Sequence, residues 1–233
     1  MTVEAFAHSP DFAAIVLSLK VGATATVLSL PFGFAAAYIG TRLRPRTKAV
    51  FDTFVNLPLT LPPVVIGYLL LLLLGRGGWP GAFLRRHGVQ ILFTWKAAVI
   101  ASAVVGFPLL VRSIRISIEA IDDGLVQAAR TLGAGRLDAI ATIVAPLSLP
   151  GIVAGSSLMF ARSLGEFGAT IVVAGNIPGV TQTLPLAIYD HAASPRGDGM
   201  ALALCAVSVA VSVVVLLLHE AVVRKAARKG VMR

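Results

Sequence analysis

Five long apolar stretches constrain this chain more than any other feature of its sequence. Each is about 20 residues long, the length that a helix needs to cross the hydrocarbon core of a bilayer. Only 13% of the 233 residues are charged, about half the fraction that is usual in soluble domains. The stretches occupy roughly residues 21–39, 50–74, 91–111, 143–162 and 200–218. We therefore expect an all-α integral membrane protein with about five spans, formed as a single domain over residues 1–233.

Two of these stretches each contain more than one proline, at corresponding places. The prolines are Pro58, Pro62 and Pro63 in the second stretch and Pro146 and Pro150 in the fourth. Because proline lacks a backbone donor and clashes with the preceding turn, both spans should be kinked or broken. The two segments also resemble each other, LPLTLPPVVIG at 57–67 and APLSLPGIVAG at 145–155, either through convergence or through an ancestral repeat. In both cases we expect the kinked segments to lie close to a conduit through the membrane.

One stretch between the third and fourth spans, residues 121–142, is too polar for lipid. Asp122 or Asp123 can cap a short helix there, and Gly133 can end it, because glycine enters the left-handed region without strain. The helix would carry apolar side chains on one face and polar ones on another, namely Leu125, Ala129 and Leu132 against Gln127 and Arg130. A second helix should begin after Gly135. The segment is therefore predicted to be a water-exposed helix–turn–helix that binds a soluble partner.

The positive charges are distributed unevenly between the two sides of the membrane. Of the 20 lysines and arginines, 13 fall on the side that holds segment 121–142 and the C-terminus, and four fall on the other side. Because these residues favour the cytoplasmic side, we expect the N-terminus outside and the C-terminus in the cytoplasm. The net charge of +9 therefore reflects membrane orientation, and we expect no binding to nucleic acid.

The sequence contains no arrangement typical of an enzyme: no phosphate loop, nucleophile elbow, metal-ligand cluster or carboxylate pair with catalytic spacing. We therefore predict no catalytic residues, no metal site and no cofactor in this chain. The single cysteine, Cys205, excludes an intrachain disulfide. Because no row of acids lies within the spans, a proton-coupled carrier is disfavoured, and the energy source is expected to reside in another chain.

Glu166 is the most notable acid, because it lies where the fourth span ends or breaks. An acid in an apolar setting indicates function, although Glu166 would equally cap free amides at the break or pair with Arg162. Arg162 and Lys96 can each attract an anion or extend to the lipid headgroups. Residues 176–196 should form a loop that leads to the fifth span. Our candidate pathway or gate residues are Pro58, Pro62, Pro63, Pro150, Arg162, Glu166 and Gly168.

Segment 121–142 resembles the signature of bacterial ABC importer permeases with the type I fold. That signature is Glu-Ala-Ala, three residues, Gly, nine residues, Ile, one residue, Leu-Pro. The matching positions are Gln127, Ala128, Ala129, Gly133, Ile143, Ala145 and Pro146, with Gln127 in place of glutamate and Ala145 in place of leucine. The resemblance implies a coupling helix that docks into a cytoplasmic ATPase. The residues that it assigns to this contact are Gln127, Ala128, Ala129, Arg130, Gly133, Ala134 and Pro146.

Residues 57–78, 127–152 and 160–190 are similar to the molybdate permease branch of this family. The resemblance implies a multi-pass subunit of the bacterial inner membrane that belongs to an ATP-driven molybdate importer. It also implies a homodimer of permeases, two cytoplasmic ATPase subunits that bind ATP and Mg, and a periplasmic oxyanion-binding protein. Sulfate/thiosulfate permeases share much of the region around Glu166 but are typically longer, and tungstate permeases are a further neighbour.

Two functions of other classes are less compatible with the sequence. A small intramembrane enzyme would need a constellation of acids, histidines or nucleophiles that the spans do not contain. A membrane anchor that only holds a soluble complex would suit segment 121–142, but it needs only straight apolar helices. The two proline-interrupted spans therefore favour a transport subunit.

Overall fold

The computed structural model describes residues 9–75 and 77–231, with side chains up to residue 221, and all regular structure in that part of the chain is helical. The helices are α1 Pro10–Arg42, α2 Pro45–Thr60, α3 Pro63–Leu74, α4 Trp79–Arg86, α5 Trp95–Glu119, α6 Asp123–Thr131, α7 Arg136–Leu147, α8 Leu149–Leu164, α9 Gly168–Ala174, α10 Leu184–Ala192 and α11 Asp198–Val231. Of these, α1, α5 and α11 are each long and apolar enough to cross a membrane.

The two proline-interrupted spans are broken, as the sequence predicts. Helices α2 and α3 meet at an angle of 108°, and α7 and α8 meet at 66°. Pro63 opens α3 at a first-turn position, where the missing amide hydrogen costs nothing, and Pro150 does the same in α8. If each bent pair counts as one span, the described chain has up to five.

Helix α5 is the centre of the bundle, because it packs against both α1 and α8. Its buried residues include large ones such as Leu110 and Ile114, whereas the buried residues of α1 are mostly small, such as Ala25 and Ala37. Small residues let two helix backbones approach closely in a membrane, where dispersion contacts hold helices together. Helices α8 and α11 also pack together, and α10 lies against α11 and α1.

The contact between α5 and α8 is closest at Gly151. A Cβ atom on this residue would lie 2.6 Å from the backbone oxygen of Ser113. The Ser113 hydroxyl donates a hydrogen bond to the carbonyl oxygen of Gly151 over 3.1 Å. The backbone of α8 therefore lies directly against the backbone and a side chain of α5 at this crossing, and a methyl group on Gly151 would not fit.

The structure corrects the prediction of a loop at residues 176–196, because α10 forms within it. Pro185 occupies the first turn of α10, and Leu186 and Ala187 are buried against the bundle. The apolar face of this helix is short and is flanked by polar residues, so the sequence pattern alone does not predict a buried helix here. Residue 76 and the side chains of the basic tail from residue 222 onwards, which the charge count includes, lie outside the described residues.

We predict that Gly151→Ala lowers the thermal unfolding midpoint of the detergent-solubilised protein. The added methyl group must push α5 and α8 apart, and overpacking of this kind costs about 1–3 kcal/mol. Gly199→Ala is the matched control, because a Cβ atom at Gly199 has open space around it. Equal midpoints for the two variants would contradict the close crossing of α5 and α8.

Candidate functional site

The polar segment forms the helix–turn–helix that its sequence predicts. The carboxylate of Asp122 caps α6 by accepting a hydrogen bond of 2.8 Å from the backbone amide of Gly124. After α6, Gly133 adopts a φ of +96°. Its amide donates to the Arg130 carbonyl over 3.1 Å, and the Ala134 amide donates to the Ala129 carbonyl over 3.0 Å. This pair of bonds is a Schellman motif, which satisfies the free carbonyls at the helix end.

The turn carries two strongly exposed leucines. Leu132 is 89% exposed and Leu137 is 82% exposed, and no residue of α6 is buried. The residues assigned from the family signature between Gln127 and Ala134 lie together on this helix and turn. Pro146 lies ten residues beyond the start of α7, about 15 Å along the axis by helical rise, and is therefore set apart from them.

A cavity of about 690 Å³ separates segment 121–142 from the end of α1. Its charged and polar lining residues include Arg42, Asp123, Gln127, Arg130 and Arg136. The ion pair between Arg42 and Asp123 spans 3.9 Å, and both side chains are exposed. Exposed pairs of this kind contribute little to stability. The electrostatic link between α1 and the segment is therefore weak.

The two broken spans share an identical polar contact at their breaks. The Thr60 hydroxyl donates to the Leu57 carbonyl over 2.9 Å, and the Ser148 hydroxyl donates to the Ala145 carbonyl over 3.1 Å. Thr60 and Ser148 occupy equivalent positions in the two similar segments 57–67 and 145–155, and so do the acceptors. The similarity between the segments therefore extends from their sequence to their hydrogen bonds.

The structure brings some of the candidate pathway residues together and separates others. A Cβ atom on Gly168 would lie 3.0 Å from Pro63 Cβ, so the start of α9 touches the start of α3. Pro58 lines a separate apolar cavity of about 400 Å³. Pro62 is exposed at the bend between α2 and α3, and Pro150 is half-buried in α8. The seven residues therefore do not form one continuous site within a single subunit.

Glu166 makes both of the contacts that would be expected if it stabilised the break after α8. Its Oε1 accepts a hydrogen bond of 2.8 Å from the backbone amide of Ala169. Its Oε2 lies 2.9 Å from Arg162 Nη1, an ion pair whose angle falls outside that of a hydrogen bond. The Glu166 side chain is 1% exposed, and that of Arg162 is 33% exposed. The carboxylate thus depends on Arg162, whereas the guanidinium still reaches solvent.

The sequence reasoning missed a charged cluster between α2 and α5. Its members are Lys48, Asp52, Arg112, Arg115 and Glu119. In the sequence alone, the basic members count only toward the predicted membrane orientation. The spacing of the cluster carries the signal, because residues four apart on α2 and residues three and then four apart on α5 project from one helix face. Each face carries both acids and bases, which a search for opposite charges would have detected.

We predict an asymmetry between the two partners of the buried ion pair. Arg162→Gln should lower the thermal unfolding midpoint more than Glu166→Gln does, because it leaves a buried carboxylate uncompensated, which typically costs about 3–5 kcal/mol. In Glu166→Gln the charge left without its partner belongs to a side chain that is 33% exposed and not to one that is fully buried. The double variant should recover part of the loss. Equal effects of the two single variants would show that Glu166 does not depend on Arg162.

Known proteins are similar to this chain in sequence and in fold. The family of binding-protein-dependent transport system inner membrane components matches residues 29–228. The chain is 50% identical over 212 residues to the molybdenum transport system permease protein ModB of Escherichia coli (strain K12), covering 91% of this chain and 93% of that protein. It is 48% identical over 211 residues to ModB of Haemophilus influenzae, covering 90% and 92%.

A solved structure of the MetNI methionine ABC transporter, in an inward-facing conformation, has the same fold. It aligns with a TM-score of 0.68 at 18% identity and covers 97% of this chain and 99% of that chain. The all-helical fold with up to five spans is thus that of ABC importer permeases. Together with the sequence matches, this places the chain in the family of binding-protein-dependent transport system inner membrane components.

Proposed function

We propose that this chain is the permease subunit of an ATP-driven importer that carries molybdate across the bacterial inner membrane. The observation that carries the proposal is the identity of 50% and 48% to two molybdenum transport system permeases, over about nine-tenths of every chain compared. The described chain supplies the apolar helices that a multi-pass membrane protein requires. A soluble protein of the periplasm would deliver the anion.

The chemistry of molybdate requires a path lined by protein. Molybdate is a small dianion, and transfer of an unpaired ion into hydrocarbon is strongly unfavourable. Helix breaks at membrane depth are tolerated where the freed backbone groups are buried in protein or face a wet cavity. We propose that two copies of the chain enclose the path between them, with the broken spans α2–α3 and α7–α8 beside it. Pro58, Pro62, Pro63, Pro150, Arg162, Glu166 and Gly168 remain our candidates for its lining or gate.

We assign the coupling role to segment 121–142. Its exposed Leu132 and Leu137 offer apolar contacts on either side of a rigid turn, and its weak tie to α1 permits movement as a unit. In the proposed complex two cytoplasmic ATPase subunits bind ATP and Mg and contact this segment. Closure of the ATPases would then shift the segment and the α7–α8 span that follows it. Gln127 would contribute hydrogen bonds to this contact without the charge of glutamate.

The substrate is tested by competition for uptake. We predict that vesicles containing the permease, its ATPase and its binding protein accumulate labelled molybdate, and that tungstate competes much better than sulfate. Tungstate and molybdate have nearly the same size and charge, whereas sulfate is smaller. Equal competition by sulfate would reassign the substrate to sulfate or thiosulfate, and preferential retention of tungstate would reassign it to tungstate.

The coupling role is tested at the turn. Gly133→Val should uncouple ATP hydrolysis from uptake in the same vesicles, because a β-branched residue resists the φ of +96° that the Schellman motif requires. Gly135→Val is the matched control. Gly135 lies two residues away with a φ of −66°, and a Cβ atom at either glycine meets nothing within 4 Å. Normal coupling in Gly133→Val would reject the role of the turn.

A further inference from the structure

A polar cavity of about 510 Å³ lies between α2 and α5, at the end of the bundle that carries segment 121–142. It is roomy enough for a small hydrated anion, since one water in the liquid occupies about 30 Å³. Its polar lining residues are Lys48, Asp52, Asn56, Arg112, Arg115 and Glu119. Three of these side chains are cationic and two are anionic, so the lining carries one uncompensated positive charge.

Arg115 provides a fixed wall of the cavity. Its Nη1 donates to Asp52 Oδ1, and its guanidinium carbon lies 5.9 Å from the centroid of the Phe51 ring. On the other side, Gly40 of α1 leaves the space that the guanidinium fills. The Arg115 side chain is only 13% exposed. It therefore joins α1, α2 and α5, and it is not free to follow a ligand.

Lys48 and Glu119 form a weaker pair at the rim. The Lys48 Nζ donates to Glu119 Oε1 over 2.9 Å, and both side chains are substantially exposed. Exposed ion pairs are worth little, because water solvates each partner almost as well as the pair does. Lys48 can therefore exchange Glu119 for another anion at small cost.

Arg112 is the cation without a partner. It lies one turn before Arg115 on α5, its side chain is exposed, and it makes no ion pair or hydrogen bond with any described residue. A guanidinium presents several N–H donors in a plane, which suits an anion with several oxygens. The cavity thus contains an unused donor beside a cation that is easily recruited.

We propose that this cavity is a binding site for a tetrahedral oxyanion, which Arg112 and Lys48 bind together. On binding, Lys48 gives up its ion pair with Glu119 and pairs with the anion instead. Arg115 and Asp52 form the fixed wall. The proposal goes beyond the import of molybdate, since it assigns a site on the permease itself. The occupant is either the free transported anion, whose identity rests on the proposed function, or the phosphate of an anionic lipid, which has the same chemistry.

The experiment measures binding of sodium molybdate, at fixed ionic strength, to the full-length permease in phosphatidylcholine nanodiscs. Arg112→Gln should weaken binding by about two- to fivefold, the effect of losing one exposed charge contact. Glu119→Gln should tighten binding, because it releases Lys48. Two variants that shift affinity in opposite directions cannot both reflect misfolding. Arg46→Gln is the control, since it removes an exposed charge at the start of α2 that does not line the cavity.

A second arm identifies the occupant. If free molybdate does not bind, nanodiscs containing phosphatidylglycerol should raise the unfolding midpoint of the wild type and of Arg46→Gln, but not that of Arg112→Gln. That outcome supports a lipid phosphate as the occupant. If Arg112→Gln behaves as Arg46→Gln does in both arms, the site is rejected while import of molybdate stands. Saturable binding without uptake in the vesicle assay would instead reject the transport function and leave the site.

Discussion

Backbone hydrogen bonds in a low-dielectric environment constrain this structure more than any single side chain does. Wherever a membrane helix breaks, carbonyl and amide groups lose their partners, and lipid offers no replacement. A hydrogen-bonded polar side chain lies at each break. The hydroxyls of Thr60 and Ser148 bond to carbonyls three residues back, and the Glu166 carboxylate accepts from the Ala169 amide. Each break in the bundle is therefore marked by a polar side chain that is hydrogen-bonded to nearby backbone.

The three breaks lie between α2 and α3, between α7 and α8, and between α8 and α9. The bends before α3 and α8 lie within the two similar segments, whereas the break after α8 redirects the chain into α9. Helix α9 then packs against α3 and α5, which ties the third break to the first bent span. Gly168 meets Pro63 at this contact. A change at one break can thus reach another through directly touching residues, which is the kind of contiguous packing that a moving permease needs.

Much of this architecture can be predicted from the sequence, because its signals are local. Apolar length predicts the spans, and Gly133 predicts the turn after α6. Helix α10 could not be predicted, since its short apolar face acquires meaning only when α1 and α11 bury it. The cluster around Arg115 was missed for the same reason. The spacing of the charges shows that α2 and α5 each have a charged face, but Asp52 and Arg115 are 63 residues apart, and the sequence does not show that the two faces meet.

The Schellman turn has a consequence for association. A Cβ atom at Gly133 would meet nothing within 4 Å, so open space adjoins the turn at that point, and two hydrogen bonds within the turn hold its shape. A loop that becomes ordered only on association loses conformational entropy at that moment and binds more weakly. Segment 121–142 has already lost that entropy during folding of the subunit. It can therefore bind a partner as a preformed turn. The free energy of binding is then not spent on ordering the segment and remains available to move it.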